Sequence, residues 1–194
     1  MRLPRSAHTS LPWRIHEIAP EFAVEDVWAL PTPRGPSELP RLIEAVFGGS
    51  FPREAPMVVR FLWDVRWKIG RLLGWDDQTA GLGGRVTSLR ERLPDELRAA
   101  SSDPGVGTAP FSVIYQLDDE FAAELANRTV HTVMHLGWVP CADGYRGQMA
   151  VLVKTKGRLG SLYMAGIDPL RRYVVYPALL RQIERQWRAT APTS

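Results

Sequence analysis

Cysteine is almost absent from this sequence of 194 residues, which contains only Cys141. A single cysteine excludes an internal disulfide framework and a zinc site built from several thiolates. No cation or helix start lies close enough in sequence to activate the thiol, so we do not expect Cys141 to act as a nucleophile. Low cysteine usage is typical of a reducing compartment, and we therefore expect a cytoplasmic protein.

Long hydrophobic runs are also absent. No apolar stretch reaches the roughly 18 residues that a membrane-spanning helix needs. The first residues, Met1 to Arg5, are not followed by the apolar core of a signal peptide. The sequence therefore predicts a soluble protein without stable membrane insertion.

Lysine is scarce, because Lys68, Lys154 and Lys156 are the only lysines among 24 basic residues. The net charge is +3, although the sequence pI is about 9.3. An excess of arginine of this kind reflects genomic base composition as readily as it reflects phosphate binding. We therefore predict no nucleic-acid partner.

Recognisable catalytic motifs are missing. The sequence shows no Ser-His-Asp signature and no metal-ligand spacing, and Gly81–Gly84 lacks the lysine and hydroxyl of a phosphate-binding loop. Asp118, Asp119 and Glu120 cluster like acid–base carboxylates, but they lie where a hairpin should turn and are predicted to be solvated. We predict no metal and no cofactor, and the sequence leaves enzymatic activity open.

A helical pattern is present at the C-terminal end, from Gly157 to Trp187. Apolar residues recur there at three- and four-residue steps, which predicts one long helix with a continuous apolar stripe. Asp168 before Pro169 resembles an N-cap followed by a helix-starting proline, which indicates a break or restart. The predicted stripe is Leu170, Tyr173, Val174, Pro177, Leu180, Ile183 and Trp187, and the opposite, solvated face carries Arg181, Arg185 and Arg188.

Strand patterns occupy the preceding segment, Phe111 to Thr155. Alternating apolar residues are separated by short polar turns, which predicts an antiparallel meander with one face free to receive a helix. The predicted strands are 111–117, 121–125, 129–139 and 149–155, with turns at Asp118–Asp119, Asn127–Arg128 and Cys141–Gly144.

The first 110 residues carry shorter and more mixed patterns, punctuated by proline and glycine. We predict a loose lead-in at 1–12, a strand at 13–18, a short helix or turn at 20–30, a connector at 31–40, helices at 38–47 and 56–73, a loop at 75–84, a helix at 86–100 broken at Pro94, and a linker at 101–110.

Together these patterns predict an α+β fold in which helices are segregated from a consecutive antiparallel sheet. We expect a single domain over residues 1–194, with residues 189–194 as a tail. A long terminal helix lying across a curved sheet can enclose a cavity. The sequence therefore suggests a protein that contains a small molecule.

Three stretches also resemble a known family: EIAPEFAVEDVWALPTP near the start, HTVMHLGWVP in the longest strand, and VKTKGRLGSLYMAGIDPLRRYVVYPALLRQIERQW at the end. They are similar to bacterial proteins grouped as domain of unknown function 2867, which is associated with the START-like, helix-grip (SRPBCC) superfamily. The resemblance implies a curved antiparallel sheet wrapped around a long C-terminal helix, with helices inserted between the first strand and the meander.

The same resemblance implies a range of functions rather than one. Members of the wider superfamily bind lipids, sterols, polyketides or plant hormones, and some are cyclases or aromatases. Some relatives of the family are attached to a nucleotide-binding dehydrogenase-like domain. No catalytic motif common to them can be carried onto numbered positions here, and fold analogy alone does not assign an activity.

His131 and His135 are the most suggestive pair in the meander. Positions four apart on a strand share a face but lie roughly 13 Å apart, so the two histidines cannot ligate one metal together. If they point inward with Val133, the cavity gains a polar row. If they point outward, the alternate residues line the cavity, and because these are more apolar we favour that orientation. The alternate set is Val130, Thr132, Met134, Leu136 and Trp138.

Three hypotheses follow for function. The first is a cavity protein that binds a hydrophobic or aromatic small molecule between the sheet and the C-terminal helix. The second is a polyketide cyclase- or dehydratase-like enzyme using histidine and tyrosine in that cavity. The third is an interaction domain that partners an oxidoreductase or a second copy of itself. The candidate ligand-binding residues are His131, Val133, His135, Tyr115, Met149, Tyr163 and Tyr173.

Overall fold

The computed structural model describes residues 1–48, 86–102, 105, 107–108, 110–126, 130–155 and 171–190. The predicted helix at 56–73, the loop at 75–84, Tyr163 and the Asp168 cap lie outside the described residues.

A six-stranded open sheet forms the centre of the fold, and every neighbouring pair of its strands is antiparallel. The spatial order is β1-β2-β6-β5-β4-β3, so the first long strand of the chain lies beside the last one. The strands are β1 (Arg2–Leu3), β2 (Ala23–Ala29), β3 (Ser112–Gln116), β4 (Glu120–Ala126), β5 (Val130–Cys141) and β6 (Gly144–Thr155).

Helices cover both faces of this sheet. In the described part of the chain they are α1 (Ser6–Thr9), α2 (Ile15–Ile18), α3 (Leu39–Phe47), a 3-10 helix (Leu89–Arg92), α4 (Asp95–Ala100), a π-helical turn (Arg171–Val175) and α5 (Tyr176–Ala189).

One face of the sheet, which we call the helix face, packs against α3 and α5. Leu136 and Met149 are completely buried on it, together with Ile183 from α5. The opposite face, which we call the histidine face, is covered by the N-terminal residues and the 3-10 helix. Val133 and Leu152 are completely buried there. Because both faces are covered, the central strands carry buried residues on both sides.

The α+β class and the meander are confirmed. The described turns at Asp118–Asp119 and before Gly144 lie where the sequence predicted them, and the φ of +111° at Gly144 favours glycine. β6 begins at Gly144, five residues before the predicted strand, and the predicted turn at Asn127–Arg128 lies outside the described residues. The predicted helices at 38–47 and 86–100 are also present, the second as a 3-10 helix and α4 separated at Pro94. No helix in the described ranges is long and apolar enough to cross a membrane.

Two predictions near the N-terminus are wrong. Residues 15–18 form a helical turn rather than a strand, because Ile15 and Ile18 are three residues apart and bury the same side of the turn. Residues 23–29 form β2 rather than a helix or turn. Burial on both sides and a register shift between Val24 and Asp26 erase the alternation that would have shown a strand. The predicted lead-in at 1–12 contains β1 and α1.

The apolar stripe predicted for the C-terminal helix is correct only toward its end. Ile183 and Trp187 are buried as expected, whereas Tyr173 is 80% exposed. A π-helical turn precedes α5 and departs from the 3.6-residue period, so Tyr173 does not continue the buried side of α5. The buried side of α5 is therefore Tyr176, Ala178, Leu179, Gln182, Ile183 and Trp187.

Candidate functional site

Aromatic side chains line the helix face where α5 crosses the sheet. The rings of Trp138 and Trp187 lie 5.7 Å apart, and those of Trp28 and Tyr176 lie 5.0 Å apart. Each pair joins a strand residue to an α5 residue, so α5 is attached by aromatic contacts at both of its ends.

Two buried polar groups interrupt this apolar surface. Gln182 is 3% exposed, and neither its amide nitrogen nor its amide oxygen has a hydrogen-bond partner in the described structure. The indole N–H of Trp28 is also buried without a hydrogen-bond partner in the described structure. A polar group left unpaired in a protein interior costs about 1–3 kcal/mol, so groups of this kind require an explanation.

Asp26 adds a buried charge to the helix face. Its register partner on β6 is Val151, and residues directly opposite each other share a face. The carboxylate lies 2.9 Å from the Arg171 guanidinium and 3.3 Å from that of Arg2. Asp26 is therefore compensated by two arginines that reach the surface.

The histidine face carries two similar histidine–glutamate pairs. His131 Nε2 lies 2.7 Å from Glu124 Oε2, and His135 Nε2 lies 3.0 Å from Glu120 Oε2. All four side chains are buried. In each pair the histidine lies two residues before the β5 residue that opposes the glutamate, so one diagonal contact is repeated along the β4–β5 ladder.

Each glutamate also holds a segment that covers the sheet. The Glu120 carboxylate accepts the backbone N–H of Arg14 at 3.0 and 3.1 Å, just before α2. The Glu124 carboxylate accepts the backbone N–H of Leu89 at 3.1 and 3.2 Å and the Ser88 hydroxyl at 2.5 Å, where the 3-10 helix begins. The two carboxylates therefore fix both covering segments to β4.

Three histidines meet at the Glu120 end. His8 Nε2 lies 3.1 Å from His135 Nδ1, and both rings are completely buried. The ring of His16 lies 4.9 Å from that of His8, and the ring of Trp13 lies 5.1 Å from that of His135. Glu120, His135 and His8 form one continuous hydrogen-bonded chain.

Burial strongly shifts the pKa values of the three hydrogen-bonded groups, His8, His135 and Glu120. Burial first, and then the charges of His135 and His16, lower the pKa of His8 to about 2. Burial first and then His16 lower the pKa of His135 to about 3. Burial also raises the pKa of Glu120 to about 7, against the opposing effect of the Arg14 N–H.

Tyr115 lies beside the same carboxylate. Its hydroxyl is buried and has no well-formed hydrogen bond within the described ranges. Burial and then the charge of Glu120 raise the pKa of Tyr115, so the phenol is held neutral.

Sequence comparison places the chain in a family. The family described as "Protein of unknown function (DUF2867)" matches residues 18–178. The chain belongs to the DUF2867 family. Neither a curated protein nor a solved structure matches it. The family description assigns no activity.

The DUF2867 fold distributes the predicted ligand-binding residues over both sides of the sheet. His131, Val133, His135 and Tyr115 lie on the histidine face, away from α5. Met149 lies on the helix face, Tyr173 is exposed, and Tyr163 lies outside the described residues. Of the two orientations considered for β5, the apolar set faces α5, and the histidines are buried on the other side rather than at a rim.

Several polar residues of this DUF2867 chain were missed at the sequence level. Glu120 was assigned to a solvated turn, and this was wrong: Asp118 and Asp119 are exposed, but Glu120 is the first residue of β4 and is 2% exposed. The signal available was Glu120 and Glu124 four apart, matching the four-residue spacing of His131 and His135. The other missed residues are His8, His16, Asp26, Trp28 and Gln182.

The described residues contain no group of three or more His, Cys, Asp or Glu side chains arranged to hold a metal ion. His8 Nε2 and His135 Nδ1 share a hydrogen bond with each other, and His135 Nε2 is hydrogen-bonded to Glu120. These three nitrogens are therefore already engaged. The chemistry that this arrangement supports is hydrogen bonding and proton transfer.

Proposed function

We propose that this DUF2867 domain is a helix-grip protein that binds a hydrophobic or aromatic small molecule on the helix face, between the sheet and α5. The topology supports a helix grip, because β2 lies beside β6 and the helices α3 and α5 share one face of the sheet. Its cytoplasmic location and single-domain organisation remain predictions.

The unpaired amide of Gln182 carries the proposal. Pockets for small molecules are mostly apolar with a few polar groups that orient the ligand. The helix face has this composition, with aromatic and aliphatic walls and a buried amide that no described residue satisfies. An amide both donates and accepts, so it matches a ligand hydroxyl or carbonyl.

The ligand class follows from the same surface. Trp28 can donate a second hydrogen bond from its indole, and Met149 supplies a completely buried, adaptable apolar contact. Asp26 is already paired with Arg171 and Arg2, so a free cationic ligand is not required. We expect a largely apolar molecule with one or two oxygen functions.

Native mass spectrometry of the full chain purified from its own host tests this proposal. The expected result is a second species whose added mass is released by denaturation and identified by extraction. Repeated spectra of the unliganded chain, combined with no shift in melting temperature across a panel of sterols, fatty acids and aromatic polyketides, would contradict it.

The enzyme hypothesis has one observation in its favour, the chain from Glu120 through His135 to His8, which resembles the acid–base relays of hydrolytic enzymes. These groups lie on the histidine face, so a cyclase- or dehydratase-like reaction would use the side of the sheet opposite α5. The interaction hypothesis, with an oxidoreductase or a second copy as partner, is favoured by the exposed ring of Tyr173.

A further inference from the structure

All four histidines of the chain lie on the histidine face, and two of them belong to the N-terminal segment, which we define as residues 5–18. This segment closes the histidine face over Glu120 and His135. Its buried side chains Trp13, Ile15 and Ile18 pack into the apolar cluster beneath.

Three polar contacts attach the buried side of the N-terminal segment to the sheet. His8 meets His135, the Arg14 N–H meets Glu120, and the Gln148 amide donates to the Ala7 carbonyl at 3.2 Å. Two of these three contacts contain a titratable group from the sheet. The attachment is therefore sensitive to protons in a way that apolar packing is not.

The hydrogen-bond pattern assigns the tautomers while Glu120 is ionised. The carboxylate requires a proton on His135 Nε2, which leaves His135 Nδ1 as an acceptor. His8 must then donate from Nε2, and its Nδ1 lone pair is buried without a partner in the described structure. An added proton on either ring would place a cation against a neighbouring histidine and away from water.

The charged and titratable groups around His8 and His135 come from every element packed there. They are His16 on α2, Arg14 before it, Tyr115 on β3, Asp119 in the turn before β4, and Glu120 on β4. On the strand itself, His131 lies farther along and is paired with Glu124. Glu120 is the one carboxylate bonded to the His8–His135 pair.

We propose that the N-terminal segment is an acid-released cover: when the His8–His135 contact takes up protons, residues 5–18 leave the histidine face, while β1 and the other strands of the sheet stay folded. Release exposes the buried surface around Val133, Ala150 and Leu152. The site proposed on the helix face lies on the other side of the sheet and is not involved.

The number of protons bound in the docked and released states determines the pH range over which the N-terminal segment is released and whether acid favours release. Histidines whose pKa is lowered by docking favour the docked state above their ordinary pKa of 6.5 and oppose it as the pH falls below that value. Glu120, with a pKa raised to about 7 from 4.5, takes up a proton in the docked state and offsets one histidine. Between pH 6.5 and 4.5 the released state therefore binds one more proton than the docked state, and below pH 4.5 it binds two.

Hydrogen–deuterium exchange of the full chain, followed by mass spectrometry, measures this balance. After correction for the intrinsic pH dependence of exchange, we expect opening of residues 5–18 to become about tenfold more frequent per pH unit between pH 6.5 and 4.5. Peptides from β5 and β6 should keep their protection over the same range.

Two variants separate the histidine contact from general acid sensitivity. His8→Gln keeps a donor near His135 but removes one titrating group, so the dependence of opening on pH between 6.5 and 4.5 should become nearly flat. Glu17→Gln changes an exposed charge on the same segment and should leave the wild-type slope unchanged. The slope remains informative even if His8→Gln opens more at every pH.

The proposal is overturned by any of three results: wild-type opening of the N-terminal segment that does not change with pH, equal loss of protection in β5 and β6, or a slope in His8→Gln that equals that of the wild type.

Discussion

The guanidinium of Arg41 lies 3.9 Å from the ring centre of Trp187 and donates a hydrogen bond to the Trp187 backbone carbonyl at 2.5 Å. A second hydrogen bond reaches the Thr190 hydroxyl at 3.1 Å. One side chain of α3 thus stacks on the last buried aromatic of α5 and satisfies a carbonyl at its C-terminal end. This contact fixes the helix that covers the helix face.

Replacing Arg41 should therefore loosen α5. We expect Arg41→Ala to lower the free energy of unfolding by about 2–3 kcal/mol, because it removes a cation–π contact and a charged hydrogen bond. Arg41→Lys should recover only part of this loss, since an ammonium cannot stack and fork in the same way. Urea denaturation measures the change.

Arg181→Ala is the matched control for this prediction, because Arg181 is an exposed arginine of α5. Its effect should stay within about 0.5 kcal/mol. Equal stability of the Arg41 and Arg181 variants would show that the contact does not hold α5.

Glu124 supports a second test, on the histidine face. Glu124→Ala leaves the Leu89 N–H, the Ser88 hydroxyl and His131 without their common acceptor. We expect a loss of about 3 kcal/mol or more in the free energy of unfolding, measured by urea denaturation. Glu91→Ala, an exposed change on the 3-10 helix, should cost less than about 0.5 kcal/mol. A small effect at Glu124 would mean that this buried carboxylate is not structural.

Gly137 tests how tightly Trp13 packs on β5. A Cβ at Gly137 would lie 2.6 Å and 2.7 Å from two ring carbons of Trp13, whereas a Cβ at Gly35 would meet nothing within 4 Å. Gly137→Ala should therefore lower the free energy of unfolding by about 1–3 kcal/mol, and the melting temperature should fall with it. Gly35→Ala should change both quantities little. Unchanged melting of both variants would contradict close packing of Trp13.

How much of this fold the sequence predicted depends on the kind of pattern involved. The meander was predictable because β3 to β6 pair in chain order and short polar stretches separate them in the sequence. Strand β2 was not predicted, because its neighbours are the two-residue strand β1 and the strand β6, which lies more than a hundred residues away, and because both faces of β2 are buried. Its register shift also removes the alternation.

The buried polar residues were harder to predict for a related reason. Glu120 looks like part of a solvated turn until α2 is placed over it, since burial there is created by a segment a hundred residues earlier in the chain. Gln182 follows Ala178 by four residues and Leu179 by three and so lies on the buried side of α5, but a glutamine gives no sequence signal that it is enclosed. Tyr173 was misplaced because a π-helical turn cannot be read from apolar spacing.

Replacing Gln182 should stabilise the unliganded protein, whereas most substitutions of buried residues destabilise it. If its amide serves a ligand and not the fold, Gln182→Leu should raise the free energy of unfolding of the unliganded chain by about 1 kcal/mol or more, because it removes an unpaired buried polar group at similar volume. Gln186→Leu, one turn later and only partly buried, should change stability little. A clear loss of stability in Gln182→Leu, measured by urea denaturation of delipidated protein, would show that the amide is needed for folding.

The most direct measurement compares the mass retained by three forms of the full chain purified in parallel from the native host: wild type, Gln182→Leu and Gln186→Leu. If a ligand is held on the helix face through Gln182, native mass spectrometry should show the same added mass on the wild type and Gln186→Leu, and little or none on Gln182→Leu. Added mass that is equal on all three forms, or absent from all three, would contradict the proposed site.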